Sequence, residues 1–218
     1  MFYSLIKLFF PSLCISCGIL GDSLCFRCLY HIELSPHIRE LDGLKVHAGL
    51  YYSEESEILK RLIHPFKYQH QGEVFRIFVP YMVKVLTLHE MNPHHLILVP
   101  VPLHPKRERE RGYNQAALLA KWVAKCVGAT VRPYLIRQKE TQSQAQITEK
   151  ASRAENLKDA FSLKDSLPKG GHFLLVDDIV TSGSTLLACA QILREAGAEK
   201  ISALVLADRE KKPSHPWN

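Results

Sequence analysis

No apolar run in these 218 residues reaches the roughly 18–20 that a membrane-crossing helix needs. No G-x4-G-K-[ST] segment occurs, and no G-x-G-x-x-G follows a strand-like run, which excludes a P-loop and a dinucleotide-binding fingerprint. No internal repeat runs through the chain, which sets repeat architectures aside. The opening stretch MFYSLIKLFFPSLC is broken by Lys7 and Pro11 and lacks a small-x-small cleavage site, so it does not read as a secretory signal. It reads as a short amphipathic helix or strand, with Phe2, Phe9 and Phe10 in core contact. Disorder is excluded by ordinary globular composition, 46% hydrophobic and 23% charged.

The chain carries 28 Lys and Arg against 22 Asp and Glu, a formal charge of +6. The excess is not spread evenly. Residues 1–43, 44–95 and 165–218 have net charges of −1, +1 and −1, whereas residues 96–164 carry +7. A charge run is ordinarily a solvated face. A basic block of this size also suits an anionic partner, and its neighbourhood decides between the two.

Four of the six cysteines form C-x2-C-x7-C-x2-C: Cys14, Cys17, Cys25 and Cys28. Each C-x2-C knuckle can place two thiolates on one ion, so the pair predicts a closed four-thiolate structural zinc site. Disulfides are the alternative, and they belong to oxidising compartments. Cys126 and Cys189 fall in helical patterns and are expected to be buried small hydrophobes.

The patterning predicts a cysteine module over 1–40 and an α/β domain over 41–218. VHAGLYYS reads as a strand, EESEILKRLIHPFKY as a helix, and VFRIFVPYMVKVLTLH as a helix kinked at Pro80. From residue 96 strands and helices alternate. HLILVPVP is a strand, YNQAALLAKWVAKCVG a helix stopped at Gly128, and TVRPYLIR a further strand. A polar stretch, 138–160, follows. HFLLVDDIV, STLLACAQILREAG and ISALVLA then read as strand, helix and final strand, and REKKPSHPWN as a loose tail. Alternation of this kind implies a doubly wound parallel sheet.

The strand HFLLVDDIV, 172–180, carries Asp177 and Asp178 near its end, and Thr181, Ser182, Gly183, Ser184 and Thr185 then lead directly into a helix. Ligands of open α/β sheets bind at the carboxyl ends of strands. A turn of successive N–H groups at a helix start favours a phosphate, and the four hydroxyls add donors. The two acids suit sugar hydroxyls or a hydrated Mg2+. An ordinary N-capped helix would need far less than this combination. A second constellation, LVPVPLHPKRERERGYNQ, places Lys106, Arg107, Arg109 and Arg111 beyond another strand end, on the same edge of the sheet.

The first of these stretches resembles the phosphoribosyl pyrophosphate (PRPP) motif of type I phosphoribosyltransferases. With PVPLHPKRERERGYNQA, the spacing of Arg153, Asn156, Ala160 and Phe161, and the leading cysteine module, the chain resembles the ComF family over about residues 10–207. These are competence-associated, phosphoribosyltransferase-like proteins. The resemblance implies a type I phosphoribosyltransferase fold with a hood mainly over 44–95, a core over 96–207 and a mobile loop over 138–157. It implies PRPP bound with Mg2+. Asp177 and Asp178 would meet the ribose, residues 181–185 the 5-phosphate, and the loop from Val101 to Arg107 the pyrophosphate side. Arg109 and Arg111 would contact pyrophosphate or nucleic acid, with Asp177, Asp178 and Arg111 as the catalytic set. The resemblance further implies cytoplasmic handling of single-stranded DNA during transformation. Attachment at the inner membrane would come through DNA translocation or recombination partners, docked by the cysteine module. Tyr113, Tyr134 and Trp122 are candidates to stack bases, although burial is the expectation for Trp122. Transfer to a base or amine unrelated to DNA is the alternative function.

Overall fold

The computed structural model describes residues 13–22, 24–52, 76–138 and 160–210. The opening apolar stretch, the helix expected over 54–68, the mobile-loop segment with Arg153 and Asn156, and the tail lie outside the described residues, apart from their edges.

A short helix α1 (Phe26–Tyr30) follows the first cysteine knuckle. The hairpin β1 (His37–Leu41) and β2 (Leu44–Tyr51) comes next. Its two-residue turn, Asp42-Gly43, has positive φ at both positions, 44° and 76°. Asp-Gly is a strong hairpin signal because glycine and aspartate tolerate that region at low cost. Then come α2 (Val79–Leu88), a 3-10 turn (Pro93–His95), β3 (Leu96–Pro100), α3 (Pro105–Arg111) and α4 (Gln115–Val127). The chain continues through β4 (Thr130–Val131), β5 (Leu135–Arg137), β6 (Phe161–Leu163), β7 (His172–Val180), α5 (Ser184–Glu195) and β8 (Lys200–Asp208).

Six strands form one sheet in the order β1-β2-β8-β7-β3-β4, and β5 and β6 make a separate antiparallel pair. All neighbours from β2 to β4 are parallel; only the edge strand β1 runs antiparallel. The expected parallel sheet is present over five strands, β2-β8-β7-β3-β4, with β1 added antiparallel at its edge. The central strands are apolar on both faces. Leu174, Val176, Leu204 and Leu206 pack against α2 and α4, while Phe173, Leu175, Ala203 and Val205 pack against α5. Alternation of side chains along a strand divides these residues between the two cores.

Several boundaries differ from the sequence reading. Pro80 does not kink a helix: it sits in the first turn of α2, where a missing N–H breaks no helical bond. TVRPYLIR is two strands in two sheets, since Pro133 separates them. The hood segment begins inside the main sheet, where β2 pairs with β8. β1, at the junction of the module and the domain, also belongs to that sheet. Cys189 is buried as expected, but Cys126 is exposed on α4.

Candidate functional site

The parallel strands end together at one edge, where β7 turns into α5. Thr181 and Ser182 bend the chain, and Gly183 at φ 80° precedes the helix. A β-carbon at Gly183 would collide with Leu41 of β1, so glycine is demanded by conformation and by packing alike. The Ser182 and Ser184 hydroxyls lie 3.0 Å apart, and the Leu187 N–H donates to the Gly183 carbonyl at 2.9 Å. Residues 181, 182, 184 and 185 are half-buried, leaving their hydroxyls at the sheet edge.

The acid pair does not face one way. Each carboxylate accepts the next backbone N–H: Asp178 N–H to Asp177 at 2.8 Å, and Ile179 N–H to Asp178 at 2.9 Å. Alternation along β7 sends the two to opposite sides. Asp177 acts electrostatically on Cys189 and Arg137, on the α5 side. Asp178 acts on Tyr113, ahead of α4. Burial pushes the buried Cys189 thiol up, with Asp177 reinforcing the shift, so Cys189 stays protonated.

The basic run is a short helix, so the loop expected over Val101 to Arg107 is already helical from Pro105. His104 caps α3 by accepting from the Lys106 N–H at 3.3 Å, and Gly112 ends it in the left-handed region. Arg107 and Arg111 are four residues apart, hence on one face, and both are half-buried; Lys106 and Arg109 are exposed. Asn114 then caps α4 by accepting from the Ala117 N–H at 3.3 Å, and donates to the Val101 carbonyl at 3.0 Å. That second bond ties the end of the basic helix to the loop after β3.

Arg137 joins the site without having been anticipated. It closes β5 with its guanidinium 5.2 Å from the Phe161 ring centre. Burial, and then repulsion from Arg107, lowers its pKa, while Asp177 opposes the shift. The fold thus collects Arg107, Arg137 and Asp177 from three elements. The only hint in the sequence was a cation ending an apolar strand, which is too common to be diagnostic. The three candidate stacking residues are half-buried: Trp122 and Tyr113 pack against the α2/α4 core, and Tyr134 meets Phe173 edge-on.

The four-cysteine cluster is a separate site. The sulfurs of Cys14, Cys17, Cys25 and Cys28 all lie within 4.8 Å of one another. Bonds of about 2.3 Å to a tetrahedral ion would separate sulfurs by about 3.8 Å. Cys17 and Cys25 are 3.7 Å apart, and all four residues are free thiols. The Cys25 N–H donates to the Cys14 sulfur at 3.4 Å. Burial raises the Cys14 pKa, but hydrogen bonds from the backbone of Cys25, Cys17 and Ser16 outweigh it and bring it to about 6. At Cys17 a bond to the backbone of Ile19 favours the thiolate; burial and the three neighbouring sulfurs outweigh that and push it up to about 12. Four thiolates at this spacing need a cation, and the donor set could hold a metal ion.

Residues 114–217 match the phosphoribosyl transferase domain, and with the α/β sheet and its strand-end loop they define the class: a phosphoribosyltransferase-type fold behind a four-cysteine cluster. The chain is 31% identical over 228 residues to Competence protein F of Haemophilus influenzae, covering 91% of this chain and 98% of that one. It is 33% identical over 154 residues to Competence protein ComFC of Bacillus subtilis, covering 69% of this chain and 60% of that one. It is 28% identical over 200 residues to the DNA utilization protein YhgH of Salmonella typhi, covering 89% and 83%. The chain belongs to the competence protein F family.

Proposed function

We propose that the edge where β7 enters α5 binds PRPP with Mg2+, and that the protein uses this site in the uptake or processing of transforming single-stranded DNA on the cytoplasmic side. One observation carries the reading: two acids and a Thr/Ser/Gly turn at the end of a central parallel strand, opposite a basic helix on the same edge. In this reading residues 181–185 hold the 5-phosphate, and Asp177 and Asp178 meet the ribose from the two sides of the end of β7. Lys106, Arg107 and Arg111 take the pyrophosphate side, and Arg137 joins them. Bound Mg2+ would neutralise part of the pyrophosphate charge. Zinc in the cysteine cluster would be structural. The DNA role is supported by the names of the relatives and by the +7 charge of residues 96–164. DNA translocation or recombination proteins are the partners of that role.

The test is calorimetry of PRPP with Mg2+ on the natural chain and on Asp177→Asn/Asp178→Asn. The natural chain should bind, and the double variant should lose at least about tenfold in affinity, as expected for charge-assisted hydrogen bonds. Unchanged affinity would overturn the phosphate-loop reading. On the same preparations, binding of single-stranded DNA should weaken steeply as salt rises. A salt-insensitive affinity removes the DNA arm.

A further inference from the structure

β1 lies outside the matched domain, residues 114–217, and follows Cys28 by nine positions. Its side chains at 37, 39 and 41 share one face of the strand. Two of them touch the phosphate loop. The Arg39 guanidinium donates from one Nη1 both to the Thr181 carbonyl at 2.9 Å and to Asp208 Oδ1 at 2.9 Å. Leu41 packs against Gly183, two residues further along the loop. The anchor beneath Arg39 is well built. The Asp208 side chain is fully buried at the end of β8, and it also accepts from the Glu210 N–H at 3.0 Å and lies 3.4 Å from His37 Nε2. Arg39 Nε reaches Glu210 at 3.5 Å, and the His37 ring stacks on Tyr51 with centres 3.7 Å apart.

We propose that Arg39 is a positioning residue for the 5-phosphate end of the site, a reading that rests on the PRPP function above. The peptide plane makes the case. In a trans peptide the carbonyl and the following N–H point in opposite directions. Holding the Thr181 carbonyl toward β1 therefore directs the Ser182 N–H away from β1. It also removes a carbonyl oxygen that would repel an anion in the turn. Two charge-assisted bonds through one nitrogen fix this orientation before ligand arrives, so less ordering is needed on binding. The 5-phosphate pocket is thus completed by a strand that comes from the junction with the cysteine module.

The experiment uses the full chain, with ribose 5-phosphate and inorganic pyrophosphate as separate probes, and the variants Arg39→Gln and Arg39→Lys. The expected result for Arg39→Gln is a loss of about tenfold or more in affinity for ribose 5-phosphate, the scale of hydrogen bonds to a charged group. Pyrophosphate affinity should move less than threefold. Arg39→Lys keeps the charge but not the fork, and should fall between. Added guanidinium should restore part of the loss in Arg39→Gln. Equal binding of ribose 5-phosphate by the natural chain and both variants overturns the inference. So does a parallel loss for both probes, which would mark a general structural defect. If the natural chain binds neither probe, the site reading itself fails and this inference fails with it.

Discussion

Gly183 shows how much a single residue carries here. Its positive φ costs an L-residue conformational energy, and Leu41 occupies the space a β-carbon would need. Gly183→Ala should destabilise the fold by about 2–5 kcal/mol, from αL strain together with overpacking. Urea unfolding reads the loss, and affinity for PRPP should fall with it because β1 would be pushed from the loop. An alanine variant as stable as the natural chain would show that Leu41 yields easily. The glycine was legible as part of the turn that leads into the helix. Its neighbour was not, because residues 41 and 183 meet only when the strand order is known. Arg137 belongs to the same group: it reaches Asp177 and Arg107 through the separate β5–β6 pair, which no local pattern announces.

Between elements, the joint of β2 with α2 holds an unusual polar contact. His47, buried on β2, and His89, at the end of α2, share a hydrogen bond between their Nδ1 atoms at 2.8 Å. One ring must donate and the other accept, so a second proton is unwelcome. Burial first, then the charges of His89, His172 and Lys45, lower His47 from 6.5 to about 4. Burial lowers His89 as well, and it takes His172, bonded to Ser202 at 2.7 Å, to about 4. The unfolded chain then binds protons that the folded chain refuses. Stability is complete above pH 6.5 and is lost as pH falls toward 4. His47→Gln should flatten this slope, seen as a smaller change in urea midpoint across that window. A slope identical to that of the natural chain would place the titration elsewhere. At this scale the long apolar strands and the helices over 115–127 and 184–195 were readable, since their periodicity is strong. The split of TVRPYLIR was not, because Pro133 breaks the strand without saying which sheet each half will join.

For the whole molecule, the cysteine cluster is part of the core rather than an appendage. Cys14, Leu24, Cys28 and Ile32 belong to the same buried cluster as α2, α4 and one face of the sheet. A structural ion there should therefore stabilise more than its own loop. Treatment with a strong chelator, or Cys17→Ser, should lower the melting temperature of the entire chain and release about one zinc per chain. Calorimetry with metal analysis checks both. Melting unchanged after metal loss would make the cluster an independent module. The basic segment is likewise sharpened by the fold. Part of its charge is set into the sheet edge, on the half-buried Arg107 and Arg111, while Lys106 and Arg109 stay in solvent.

By itself the sequence determined the two C-x2-C knuckles, the apolar central strands and the Asp-Asp-x-x-Thr-Ser-Gly-Ser-Thr turn. Each of these depends on residues close along the chain, where spacing and local geometry suffice. Tertiary structure alone decided that the acids face opposite sides of β7, that Arg137 joins them, and that β1 holds the loop through Arg39 and Leu41. Those contacts link residues up to 142 positions apart. They depend on strand order and on which side chains the pleat turns toward each other, and no local pattern carries that information.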